Sequence, residues 1–106
     1  RELRKESISM EIKKTALAGT TESSDIQITL SKGNDGIDVD LTSDVKKQFG
    51  DQIVKVITDT LNKFQITNAK VRAVDKGALD CVIKARTITA ASRALNQEDQ
   101  INWEVL

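Results

Sequence analysis

The hydrophobic pattern changes period after Leu41, and that change limits the fold more than any other feature. Over residues 26–32 (IQITLSK), Ile26, Ile28 and Leu30 alternate with Gln27, Thr29 and Ser31. Over residues 37–41 (IDVDL), Ile37, Val39 and Leu41 alternate with Asp38 and Asp40. Period two buries one face of a strand and wets the other. Residues 33–36 between them read GNDG, a turn composition tolerant of positive φ. The two runs therefore predict an antiparallel hairpin. From Val45 the apolar residues fall at Phe49, Ile53, Val56, Ile57, Leu61 and Phe64, spacings of three and four that form one stripe of an amphipathic helix. Thr42 or Ser43 suits its N-cap, with Asp44 near the positive end of the dipole. Gly50 inside it costs ~1 kcal/mol relative to alanine, which burial of the stripe offsets.

The flanks complete an architecture. Residues 12–21 (IKKTALAGTT) are small and β-branched enough for a strand of modest quality. If that strand pairs with residues 26–32, then Glu22, Ser23, Ser24 and Asp25 form a hairpin tip. Residues 68–74 (NAKVRAV) read as a short strand and 75–77 (DKG) as a turn. Residues 78–95 are ambiguous: Leu79, Cys81, Ile83 and Ala85 suit a strand, whereas Leu79, Val82, Ile83, Ala90 and Ala94 suit a helix. Length and alanine content favour the helix. Arg86 falls within the apolar face and must snorkel or find an acid. The expected fold class is α+β: a small antiparallel β-sheet of three to four strands, hairpin-built, with two helices packed on one face. Residues 1–9 read as a charged N-terminal extension, frayed or disordered, residues 10–95 as the domain, and residues 96–106 as an acidic C-terminal tail.

The residue inventory excludes much chemistry. With 106 residues the chain supports one core. Its 16 basic and 16 acidic residues cancel, so no global field favours nucleic acid or an anionic membrane. Apolar runs are too short for a transmembrane helix. There is no histidine, tyrosine or proline, so no Ser-His or Cys-His pair and no imidazole metal ligand can form within the chain. The lone cysteine, Cys81, agrees with a reducing compartment such as cytoplasm; flanked by Asp80 and Val82 in an apolar run, it reads as a small buried residue. Asp38 and Asp40 read as an acidic outer strand face, and Lys46, Lys47, Lys70 and Arg72 as solvated. Trp103 reads as a local anchor or, with Val105 and Leu106, an interface element. Ser23 and Ser24 fit either an ordinary polar turn or an attachment point for an external enzyme, which needs reach and not an internal base.

Three stretches carry a resemblance: AGTTESSD (residues 18–25), QFGD (48–51) and DKGALDC (75–81). Together, in this order and at these separations, they resemble the acyl carrier (gamma) subunit of citrate lyase over residues 10–94. A more distant likeness is to the carrier subunit of malonate decarboxylase. The resemblance implies a carrier that is not itself an enzyme. It further implies a prosthetic group of the 2'-(5''-phosphoribosyl)-3'-dephospho-coenzyme A type, joined to a serine through a phosphodiester. Acetyl and citryl thioesters on its thiol would be presented to alpha (acyl transferase) and beta (citryl lyase) subunits, giving acetate and oxaloacetate. A holo-carrier synthase and an acetylating ligase are the implied accessory partners, with no nucleic acid and no membrane. Carried over by position, the attachment residue is Ser23. The family pattern is E-S-G-D, and Ser24 stands where glycine is usual, which leaves Ser24 as the alternative. The rival readings are an unmodified structural subunit of a multienzyme complex, a malonate-decarboxylase-like carrier, or a cysteine enzyme built on Cys81.

Overall fold

Alternating and helical patterns both become structure where the sequence carries them, but the strands find different partners. The computed structural model describes residues 12–34, 36–43 and 46–95, with residues 46–48 described by backbone alone. The elements are β1 (Ala16–Gly19), β2 (Ile26–Lys32), β3 (Ile37–Ser43), α1 (Lys46–Lys63), β4 (Ala69–Asp75) and α2 (Asp80–Ala94). The fold is α+β, as expected, and residues 78–95 resolve toward the helix. Residues 1–9, Asp44, Val45 and the tail with Trp103 lie outside the described residues.

The sheet order is β1-β2-β4-β3. β1 and β2 form the expected antiparallel pair, with Ala18 opposite Ile28 and Gly19 opposite Gln27. The predicted hairpin between β2 and β3 does not form: β4 lies between them, antiparallel to β2 and parallel to β3. The sheet is therefore mixed rather than antiparallel. Gly33 and Gly36 do not flank a turn between paired strands, because both lie against Ala69 at the start of β4. Gly36 N–H donates to Asn68 Oδ1 at 2.8 Å and its carbonyl accepts from Ala69 N–H at 3.0 Å. A parallel pair needs a crossover, and α1 supplies it between β3 and β4.

One face of this sheet is dry. Ala16, Ala18, Ile26, Ile28, Leu30, Leu41, Ala69, Val71 and Ala73 are buried on it. Against them α1 packs Ile53, Ile57 and Leu61, followed by Phe64 just past its end, and α2 packs Ile83, Ile88, Ala90, Ala91 and Ala94. The small residues of α2 let the helix lie close to β1 and β2. Buried Thr60 and Thr87 donate to the carbonyls four residues back, Val56 and Ile83, both at 2.7 Å, which satisfies hydroxyls the core would otherwise strand. Two expected core members face out: Phe49 is 53% exposed and Leu79 71%. On the other face Asp38 stands beside Lys70 and Asp40 beside Arg72. The acids thus alternate along an outer strand, as the pattern implies, and meet the basic residues in register.

The register fixes which termini share an end. Ile26 and Ser43 both pair with Asp75, and Gly19 lies at the end of β1 beside β2's start. The β1–β2 tip, the start of α1 and the β4–α2 turn therefore gather at one end of the sheet.

Candidate functional site

Glu22, Ser23, Ser24 and Asp25 are the tip of the β1–β2 hairpin. Asp25 N–H donates to the Glu22 carbonyl at 3.1 Å, closing a four-residue turn. Ser24, third in that turn, has φ +67°, the left-handed region that glycine adopts most readily. Its N–H donates to the Lys76 carbonyl at 2.8 Å, and Lys76 N–H donates to the Asp25 carbonyl at 2.9 Å. The tip is thereby tied to the DKG turn, whose Gly77 also has positive φ.

Asp25 organises the tip. Its carboxylate accepts Arg86 Nε and Nη2, each at 3.0 Å, from α2. It also accepts the Thr20 hydroxyl at 2.6 Å and Ile26 N–H at 2.7 Å, while Thr20 Oγ1 accepts Glu22 N–H at 3.2 Å. The Arg86 guanidinium first, then Thr20 and Ile26, hold the Asp25 carboxyl well below the usual carboxylate range, against the opposing effect of partial burial. The pair is bidentate and mostly sheltered on the acid's side, with side-chain exposures of 14% for Asp25 and 41% for Arg86. Arg86 has found its acid. Sequence reasoning flagged the arginine but not the aspartate, because the pair is 61 residues apart along the chain.

The neighbouring turn is built similarly. Asp75, 1% exposed, accepts the Ser43 hydroxyl at 2.8 Å and Ala78 N–H at 3.0 Å. These bonds fix the entry to α2. Its first turn shows Cys81 exposed, which corrects the expectation of a buried thiol. As a helix, α2 turns Ile83, Thr87 and Ile88 inward, and that periodicity carries Cys81 to the outside.

Ser23 is exposed, and no partner hydrogen-bonds its hydroxyl among the described residues. The same holds for the hydroxyls of Thr21 and Ser24, but the Ser24 backbone is fixed in the left-handed region and bonded to Lys76. Ser23 is exposed on a tip whose Asp25 is held by Arg86, so the residues present fit a covalently carried group. Among the described residues no cluster of three or more acids, cysteines or histidines is placed to hold a metal ion.

Residues 13–94 match a family model described as malonate decarboxylase delta subunit (MdcD). The chain is similar to the citrate lyase acyl carrier protein of Lactiplantibacillus plantarum, 69% identical over 97 residues that are 92% of this chain and 100% of the relative. The citrate lyase acyl carrier proteins of Lactobacillus helveticus and Lactobacillus acidophilus are 65% and 64% identical over the same shares. By structure, a chain of a Pseudomonas malonate decarboxylase hetero-tetramer in complex with malonate aligns with TM-score 0.69 at 16% identity, covering 81% of this chain and 89% of that one. The likeness at that identity is one of fold. The relatives matched along their whole length decide the family: this chain belongs to the citrate lyase acyl carrier proteins.

Proposed function

We propose that the protein is the non-catalytic carrier of a citrate lyase complex and that Ser23 is where its prosthetic group is attached. The observation that carries this reading is the exposed Ser23, its hydroxyl without a partner among the described residues, next to a Ser24 whose backbone is held at φ +67°. Ser24 in the glycine-favouring position supports Ser23 over Ser24, because Ser24 then stands where the E-S-G-D pattern has glycine. The group is of the phosphoribosyl-dephospho-coenzyme A type, attached by a holo-carrier synthase and acetylated by a ligase. When bound, it supplies the terminal thiol that carries acetyl and citryl thioesters.

The chain's own residues do the rest. Asp25, Arg86 and Thr20 hold the turn, and the hairpin sets Ser23 outward, where the arm can visit alpha and beta subunits in turn. Tethering makes both visits intramolecular, at an effective concentration of ~mM order. No helix among the described residues is long and apolar enough to cross a membrane; the cytoplasm, where coenzyme A chemistry and free thiols persist, is the proposed compartment.

The test is Ser23→Ala in the assembled lyase. Complete loss of citrate cleavage, with folding and assembly retained, is the expected result. Full activity in that variant contradicts the assignment, and loss in Ser24→Ala alone would move it one residue.

A further inference from the structure

We propose that the groove between the start of α1 and the β4–α2 turn is a resting site for the thiol-terminated arm carried on Ser23. This inference rests on the carrier reading and adds to it a place on the protein for the arm between visits. The groove has a volume of about 390 Å3 and apolar walls of Phe49 and Ile53 from α1 and Ala78 and Leu79 from the turn. Gln52 Nε2 donates to Asp80 Oδ2 at 2.9 Å, a polar link between the two sides at its edge. That volume is within the ~300–1,000 Å3 of small-molecule sites, which are mostly apolar with a few polar groups. Phe49 and Leu79 are 53% and 71% exposed, so water wets large apolar side chains that a ligand would cover.

Position selects the occupant. The Lys76 carbonyl holds Ser24 N–H at 2.8 Å, and Leu79 is three residues further along, at most ~10 Å of extended chain. The mouth of the groove is therefore a short step from Ser23, well within the span of a pantetheine-type arm. Any other small ligand must arrive from solution, whereas the arm is present at ~mM effective concentration, so a millimolar intrinsic affinity suffices for substantial occupancy. Phe49 of the QFGD stretch and Gly77, Ala78, Leu79 and Asp80 of DKGALDC are among the groove's lining residues.

The experiment uses isotope-labelled full-length protein, unmodified and loaded on Ser23, with loading verified by intact mass. The expected result is nuclear Overhauser contact between arm protons and the Leu79 methyls and Phe49 ring, with amide shifts at residues 77–80. Leu79→Ser, at an exposed position and with the fold checked by its spectrum, should lose those contacts while remaining loaded. A verified adduct whose effects are confined to residues 22–25 and Lys76 overturns the groove and leaves the carrier reading standing. Such confinement combined with weaker lyase assembly in Leu79→Ser would assign the groove to a partner subunit instead. Absence of any adduct on active native protein overturns both.

Discussion

At the scale of single residues, Ser24 and Asp25 decide how Ser23 is offered. A Cβ in the left-handed region costs about 1–2 kcal/mol, part of which glycine returns as backbone entropy. Ser24→Gly should therefore be stabilising by about 0.5–1 kcal/mol in urea unfolding and should leave loading intact. Loss of loading would mean that the Ser24 hydroxyl is needed. Arg86→Leu removes both ends of the guanidinium fork and leaves Asp25 with Thr20 and Ile26 alone. The expected loss is about 1–2 kcal/mol, limited because Arg86 is partly solvated.

The same carboxylate sets a pH dependence. Asp25 is depressed in the folded state, so its stabilising contribution is fully present above the unfolded value of about 3.9. It fades as pH falls through that value toward the folded one. Asp25→Asn should be less stable at neutral pH and should show a flatter acid limb than wild type. Parallel acid limbs would remove Asp25 from the account. Cys81, exposed in the first turn of α2, should label readily in the folded protein, so labelling rate alone does not separate a cysteine enzyme from a carrier. Cys81→Ser does: unchanged loading and lyase activity are expected.

At the scale of elements, Gly33 marks the place where strand pairing departs from the hairpin reading. A Cβ there would stand 2.7 Å from the backbone of Ala69, because Gly33 lies against the start of β4. Gly33→Ala should cost about 2 kcal/mol through overpacking; a neutral effect in thermal unfolding would contradict that crossing. Gly36, unlike Gly33, is at positive φ and has open space where a Cβ would go. Ile26, Ile28 and Leu30 were legible as one buried face because alternation records which side of a strand meets the core. It does not record which strand lies alongside, so the insertion of β4 between β2 and β3 was not legible. Phe49 and Leu79 fit a helical stripe or face by spacing, yet each lies at an end of its helix, beyond the sheet that covers the middle. Ser23 was legible as a candidate, but the bonds from Ser24 to Lys76 and from Asp25 to Arg86 join segments far apart in sequence.

At the scale of the molecule, β1, β2, β3 and β4 align so that the tip, the start of α1 and the β4–α2 turn share one end. The remainder of the sheet and both helices form the dry core that holds that end still. On the proposed carrier reading, a chain without histidine could serve thioester chemistry because the reactive thiol would travel on the carried group while the protein supplied its point of attachment. The most direct measurement is intact mass and peptide mapping of the protein purified from its native host growing on citrate, within lyase of demonstrated activity. The account predicts a phosphoribosyl-dephospho-coenzyme A adduct on the peptide that contains Ser23, with fragmentation assigning it to Ser23. An unmodified mass in active complex would contradict it and leave Glu22, Ser23, Ser24 and Asp25 as a turn.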